Sequence, residues 1–350
     1  MKIAFFDNST ALKTVHDLET GARGGMISSL FNVSDGLSLL GHEVAVLSDI
    51  EKTGITPFGT YWGNLEEVPE HDCDVLVCNR STTDDGLSGL KAKHRVLWTH
   101  DLPHSGFIPK PKLIMGFDRV VFMSKYAENV WRLFYPLIRK SLFIPNGVDK
   151  SIFYPREKDY DYIIFGSAPN RGLQYLDLIL TALRNRVRKS LFLNAFSNLQ
   201  ILHPRETTNR EINMIESYQW KNENIGLFDP LPQRQWAHEL GIAGLMIIPT
   251  AYPEICSNVV LQSLASGTPI VTTGNLGSVP EWVVSGRNGV LTKYLPNDYM
   301  VHTIEIVRGA RDILKDKRVH DKMIRHAAKT KNILTWEEVV SKWDKLLCGL

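Results

Sequence analysis

The clearest chemical feature of this sequence is a carboxylate in a loop at the mouth of a helix. In Pro249-Thr250-Ala251-Tyr252-Pro253-Glu254-Ile255-Cys256-Ser257-Asn258, an apolar strand run ends at Pro249 and a helix starts near Ser257. Ser257 or Asn258 is of the type that caps a helix. Val260, Leu261 and Leu264 form its apolar face, and Gly267-Thr268-Pro269 ends it. The free amides from Ile255 through Cys256, Ser257 and Asn258 to Val259, at the positive end of the helix, suit a diphosphate. Gln262 follows Glu254 by about two helical turns and brings a polar group near the same entrance. A solvated loop carboxylate and a ligand-contacting one both fit Glu254.

A second feature is Gly21-Ala22-Arg23-Gly24-Gly25, at the end of a long loop from Asp7 and just ahead of a helix. Glycines there permit close backbone approach, and the helix start offers N–H groups. The segment is not G-x-G-x-x-G, and Asp49 is a poor match for the acidic partner of a dinucleotide site. A flexible loop and a phosphate cradle both fit. His100-Asp101 follows the Val96–Trp98 run, where a core histidine and a site histidine are both open readings.

These residues need a scaffold that gathers loops at strand ends. Short apolar runs at 3–6, 44–47, 75–78, 96–98, 120–123 and 142–144 read as strands of a first sheet. Runs at 162–165, 191–194, 225–228, 245–248, 270–273 and 290–291 read as a second. Met26, Leu30, Val33, Leu37 and Leu40 recur at helical spacing between the first two strands, and Gly41 ends that helix. Strand and helix alternation implies parallel, doubly wound sheets. The fold class is α/β, with two Rossmann-like β/α/β domains facing an interdomain cleft. The expected boundaries are 1–155, 156–334 and a C-terminal helix at 335–350 that packs back toward the first domain. Pro155 to Asp159 is the expected linker. Ligands in such sheets bind at the carboxyl ends of strands, so the loops above are where chemistry is expected.

Composition narrows the class further. The 350 residues are 43% hydrophobic and 22% charged, as in a globular chain. No apolar run reaches the roughly 18 residues of a spanning helix. Cys73, Cys78, Cys256 and Cys348 are scattered without zinc spacing, which predicts free thiols and a cytoplasmic setting. The formal charge of +2 gives no reason to expect nucleic acid. In the basic stretch from Lys315 to Lys331, Val319, Met323 and Ile324 fall at helical spacing and predict one buried face. The helix after Ser124 combines Tyr126, Val130, Trp131, Phe134 and Tyr135 with Lys125, Arg132, Arg139 and Lys140. Core packing explains its aromatics, and a membrane-associated lipid acceptor would suit the basic, aromatic surface.

With these motifs in order, the chain resembles family 4 of the glycosyltransferases, retaining enzymes of GT-B architecture. The likeness runs through Gly24-Gly25, Gly41-His42-Glu43-Val44, His100-Asp101, Phe122-Met123-Ser124-Lys125 and Ile144-Pro145-Asn146-Gly147-Val148-Asp149. It continues through Asn170-Arg171-Gly172 and from Glu254 to Pro269, where the family has paired glutamates eight residues apart. Two positions depart from it. Gln262 stands in place of the second glutamate, which in the family holds ribose hydroxyls. Phe165 stands where the family often has a second basic residue, about six positions before Arg171.

The resemblance implies transfer of a sugar from a nucleotide diphosphate donor to an acceptor hydroxyl with retained configuration. Arg171, the amides beyond Glu254 and the Gly24-Gly25 loop would share the charge of the diphosphate. Glu254 would orient the transferred sugar, and His100 would face acceptor or sugar. Glu281, after Pro280, fits a donor-side loop or a helix N-terminal carboxylate. No metal or cofactor is expected, since no D-x-D follows a strand; Asp84-Asp85 reads as a solvated loop. The acceptor is a glycan, a lipid-linked saccharide or a small molecule, with peripheral membrane contact among the expectations. A donor-binding protein of the same fold with little or no turnover is the alternative. A nucleotide-sugar epimerase would be expected to show paired acid and base residues, and the segment from Glu254 favours transfer; the glycine fingerprint of a dehydrogenase is missing.

Overall fold

The computed structural model describes residues 1–16, 21–65, 72–80, 91–103, 114–138, 140–198, 222–295 and 298–350. The chain divides into two compact units, Met1–Gly147 with Leu334–Leu350, and Val148–Ile333.

Unit 1 is built on an eight-stranded sheet. Its strands are β1 (Lys2–Thr14), β2 (Glu43–Lys52), β3 (Gly54–Ile55), β4 (Tyr61–Asn64), β5 (Cys73–Asn79), β6 (Ala92–Trp98), β7 (Arg119–Phe122) and β8 (Ser141–Phe143). Their order is β3-β4-β2-β1-β5-β6-β7-β8, parallel except for β3 against β4. Both faces of a parallel sheet are covered, so its strands are apolar runs rather than alternations. Ile3 to Phe6 and Val75 to Cys78 are accordingly buried.

The structure differs from expectation at two places here. β1 does not give way to a loop at Asp7. After a register shift between Asp7 and Ala11 it continues beside the far half of β2. The backbone of β2, running on to Lys52, supplies the partner that local polarity does not reveal. The short strands β3 and β4 extend the sheet beyond β2, joined by a turn in which Gly59 takes φ 94.

The first helix, α1 (Gly25–Leu39), buries Leu30, Val33 and Leu37 completely. Met26 is half-buried, and Leu40, at the other end of the stripe, is exposed. Gly41 at φ 89 ends the helix. α2 (Lys125–Phe134) is capped by the Ser124 hydroxyl, which accepts from the Ala127 amide at 3.1 Å. Trp131 and Tyr135 are core, but Phe134 is exposed, so core packing accounts for only part of that aromatic helix. A C-terminal helix, α8 (Trp336–Cys348), starts with a reciprocal capping box of Thr335 and Glu338. It lies against α1, where Gly36 leaves room for Val340. Its Trp343, fully buried, meets Trp98 at 4.8 Å and Phe5 at 6.4 Å, edge to face.

Unit 2 carries six parallel strands: β9 (Asp159–Phe165), β10 (Phe192–Phe196), β11 (Ile225–Phe228), β12 (Ala243–Ile248), β13 (Ile270–Thr273) and β14 (Gly289–Thr292). Their order is β11-β10-β9-β12-β13-β14, so strand order reverses between β9 and β12. Every residue of β12 is buried. Its helices are α3 (Leu176–Arg186), α4 (Gln233–Ile242), α5 (Asn258–Ala265), α6 (Tyr299–Leu314) and α7 (Lys317–Ala328). On α7 the buried face is His320, Met323 and Ala327; of the expected positions Met323 is buried, Ile324 half-buried and Val319 exposed. No helix among the described residues is long and apolar enough to cross a membrane.

Candidate functional site

The reversal of strand order in unit 2 brings together the loops after β9 and β12, the place where open parallel sheets bind ligands. Arg171 comes from the first loop and Glu254 from the second. Arg171 Nε donates to Glu254 Oε1 at 2.7 Å, an ion pair whose side chains are 15% and 18% exposed. The guanidinium lies 3.6 Å from the centre of the Tyr252 ring, and its Nη1 donates to Asn170 Oδ1 at 2.5 Å. A planar cation held on a ring face and by a carboxylate is fixed in plane and position.

Backbone geometry sets both loops. Gly172, at φ 107, lies so close to the Pro249 carbonyl that any Cβ would collide with it. Thr273 Oγ1 donates to the Thr250 carbonyl at 2.5 Å, and the Tyr252 amide donates to Thr250 Oγ1 at 2.9 Å. Gly277, at φ 77, abuts the backbone of Glu254, and the Ser278 amide donates to the Glu254 carbonyl at 2.7 Å. The same loop continues into a single 3-10 turn, Val279–Glu281, so Glu281 follows directly from the segment that holds Glu254.

α5 opens four residues beyond Glu254, with Ser257 at the N-cap position. Ile255, Cys256 and Asn258 are buried. Neither expected side chain caps the helix: Ser257 makes no such bond, and Asn258 is its first residue. The positive end of this helix therefore carries no side-chain cap from Ser257.

Gln262 is 8% exposed, and its Oε1 accepts from the Trp236 indole at 2.9 Å. Trp236 reaches this point because Gly166 has no Cβ to obstruct its ring. Phe165 is wholly buried in β9, paired in register with Ala195. The position where the resemblance has a second basic residue is a core position of this sheet.

In unit 1, Gly24 occupies the N-cap position of α1 and Gly25 its first turn; no side chain caps this helix either. His100 lies beyond β6, its ring 4.5 Å from that of Trp98. Its Nε2 is buried without a hydrogen-bond partner. Burial, and secondarily the nearby Arg80 cation, push its pKa down to about 3, so the ring is neutral at ordinary pH. Arg80, with φ 66, pairs with Asp101, whose carbonyl accepts from the Trp131 indole at 2.8 Å. Asn146 Oδ1 accepts from Ser29 Oγ of α1 at 2.9 Å, tying its turn to that helix, and Asp149 accepts from the amide and hydroxyl of Ser151, which shapes the turn locally.

Tyr252 and Trp236 carry no signal of a site role in the sequence. Tyr252 lies two residues before Glu254, but only the fold shows that Arg171 stacks on it. Among the described residues, one group of potential metal ligands occurs, His42, Asp344 and Cys348. There His42 Nε2 lies 2.8 Å from Asp344 Oδ1, which also accepts from the Cys348 thiol at 3.4 Å. Asp84-Asp85 falls outside the described residues. Cys73, Cys78 and Cys256 are free and buried, and burial raises the Cys78 thiol to about 12.

This architecture is the GT-B fold of glycosyltransferases. Sucrose-phosphate synthase from Thermosynechococcus elongatus superposes with a TM-score of 0.75 at 14% identity, over 99% of this chain and 98% of that one. HepE from Anabaena, solved with UDP-glucose, gives 0.73 at 13% identity over 100% of both chains. WaaG, a glycosyltransferase involved in lipopolysaccharide biosynthesis, gives 0.70 at 11%, over 99% of this chain and 100% of that one. No family model and no curated protein sequence matches the chain.

Proposed function

We propose that this protein is a retaining hexosyltransferase of the family 4 type, moving a sugar from a nucleoside diphosphate sugar to an acceptor hydroxyl. The observation that carries this reading is the Arg171–Glu254 pair beside an uncapped helix start at the strand-order reversal of unit 2. A cation, a helix N-terminus without a side-chain cap and a carboxylate meet there, as a diphosphate and a sugar hydroxyl require. The bond from the sugar C1 to the diphosphate oxygen breaks, and a bond from C1 to the acceptor oxygen forms on the same face. The acceptor proton passes to the departing diphosphate. Arg171 and the amides from Ile255 to Asn258 stabilise the charge growing on that leaving group. Glu254 orients the sugar, with Glu281 and the Gly24-Gly25 loop assisting at the donor. His100, neutral, serves as a hydrogen-bonding group toward sugar or acceptor. No metal is needed in this scheme. The acceptor is a glycan, lipid-linked saccharide or small molecule, and the setting is cytoplasmic.

One observation favours a second reading, a nucleotide-sugar-binding protein with weak or no turnover: the Gln262 carbonyl is already engaged by Trp236. A thermal-shift panel of UDP, GDP, ADP, dTDP and their sugar conjugates in EDTA tests donor binding. A ligand at 100 times its dissociation constant adds about 2.7 kcal/mol of stability. A shift with one base followed by transfer to an added acceptor supports the first reading. A shift with no transfer to any acceptor supports the second, and no shift at all removes both.

A further inference from the structure

Unit 1 sets three potential metal-ligand atoms side by side. His42 Nε2 lies 2.8 Å from Asp344 Oδ1, a residue 302 positions away, and the Cys348 thiol donates to the same oxygen at 3.4 Å. All three atoms lie within 4.8 Å of one another. A tetrahedral zinc with bonds of about 2.0–2.3 Å spaces its ligand atoms about 3.3–3.6 Å apart, so shifts of about 1 Å turn this hydrogen-bonded trio into a coordination shell. The backbone holds the three in place. Asp344 and Cys348 are four residues apart on α8, and one face of the helix presents both. Val340 against Gly36 and the buried Trp343 anchor that helix. His42 follows the Gly41 that ends α1, and its amide donates to the Leu37 carbonyl at 3.2 Å.

A His–Asp ion pair accounts for two of these residues but not for the third. Cys73, Cys78 and Cys256 are buried, and Cys348 is the one cysteine that the fold leaves in water. A free thiol there is open to oxidation unless something holds it. The His42 side chain is 11% exposed and that of Asp344 35%, so an ion from solvent has access on the cysteine side. Thiolate, imidazole and carboxylate together form a donor set for zinc, whereas magnesium and calcium take oxygen ligands.

We propose that His42 Nε2, an Asp344 carboxylate oxygen and Cys348 Sγ bind one zinc ion, with water in the fourth position. The ion clasps the C-terminal end of α8 to the turn between α1 and β2. On binding, the thiol proton leaves to solvent, and the imidazole carries its proton on Nδ1 so that Nε2 offers its lone pair. This goes beyond the sugar-transfer reading and does not depend on it, since none of the three is a donor residue and that chemistry needs no metal.

Zinc titration of the untagged, metal-stripped full chain tests it, read by calorimetry and by the reaction of Cys348 with a soluble aromatic disulfide. One equivalent of zinc should bind and stop the labelling of Cys348, and EDTA should restore it. Cobalt(II) in place of zinc should give a thiolate-to-cobalt charge-transfer band. Cys348→Ser should weaken binding by more than the about 10–100-fold that loss of an outer-shell partner costs. That variant keeps the His42–Asp344 pair, so its metal-free melting temperature should match wild type. Zinc should raise the melting temperature of wild type and not of Cys348→Ser. His238→Gln, at an exposed histidine of unit 2, should bind zinc as wild type does. Absence of binding overturns the proposal. So does zinc binding that leaves Cys348 reactive or survives Cys348→Ser, or a cobalt complex without the charge-transfer band. Zinc-dependent dimerisation in analytical ultracentrifugation also overturns it, in favour of a site shared between two chains.

Discussion

Trp236 donates its indole N–H to the carbonyl oxygen of Gln262 at 2.9 Å, within unit 2. An indole nitrogen only donates, so the contact decides which end of the amide faces it. Where the resemblance puts a carboxylate with two acceptor oxygens, this chain presents a half-used carbonyl and an NH2 donor.

Removing the indole N–H with Trp236→Phe leaves a buried carbonyl without its partner. Unfolding free energy should fall by about 1–3 kcal/mol, and nucleotide binding should weaken with it. Gln262→Glu keeps an oxygen for the indole and adds a second acceptor, so its affinity for the preferred nucleoside diphosphate should equal or exceed wild type. Titration calorimetry reads both; a Gln262→Glu protein that binds more weakly argues against a hydroxyl-facing role for this position.

Arg171→Ala takes away the cation that Tyr252 and Glu254 hold in place. If it stabilises the leaving diphosphate, kcat should drop by about 10²–10³. Tyr252→Leu retains the charge but not the ring face. It should lower kcat/KM less than Arg171→Ala does, with denaturant midpoints near wild type in both. Steady-state transfer with the donor found in the panel measures this, and undiminished turnover in Arg171→Ala removes the cation from the mechanism.

His100 has a folded-state pKa of about 3 against its ordinary 6.5, set first by burial and then by Arg80. Between those pH values the unfolded chain binds a proton that the native protein does not. The contribution to stability is therefore fully present above pH 6.5 and is lost as pH falls toward 3, at about 1.4 kcal/mol per unit. Urea unfolding of wild type and His100→Gln from pH 7 to pH 4 should show this slope in wild type only. The pH–rate profile should have no inflection near 6.5 assignable to His100, and such an inflection, absent from His100→Gln, contradicts a neutral ring.

Lys158 lies at the C-terminal ends of two helices of unit 2. Its Nζ donates to the Leu240 carbonyl at 3.2 Å, the Ser266 carbonyl at 3.0 Å and Thr268 Oγ1 at 2.6 Å. Burial lowers its pKa from 10.5 to about 7. From pH 7 to 10.5 the unfolded chain holds the extra proton, so this group makes stability rise with pH, and below 7 its burial cost is constant. The difference in unfolding free energy between wild type and Lys158→Met should therefore shift toward wild type as pH is raised from 7 to 9. A pH-independent difference would mean that the ammonium keeps an ordinary pKa.

Gly172→Ala would place a methyl against the Pro249 carbonyl at a backbone angle of φ 107. Displacing either loop moves Arg171 away from Glu254. A loss of nucleotide binding together with a strain cost of about 1–3 kcal/mol is expected, read by calorimetry and denaturant unfolding. Gly41→Ala serves as comparison: it also has positive φ, but nothing lies within 4 Å of its added carbon. Its stability cost should leave nucleotide affinity alone.

Local information determined a good deal about this protein. The apolar runs that become the main strands, the helix stripe ending at Gly41, and Glu254 ahead of a helix all follow from spacing and residue type over a few positions. Strand identity is written locally because a parallel strand buried on both faces must be apolar along its length. Strand neighbours are not, since pairing is decided across the sheet. Arg171 and Glu254 are 83 positions apart and meet only because β9 and β12 are adjacent. The same holds for Trp236 reaching Gln262 past Gly166, and for β1 finding a partner beyond Asp7. Exposure was likewise a tertiary outcome. Leu133 and Trp131 sit two residues apart on one helix, and only the packing of α2 on its sheet buries the second and leaves the first in water.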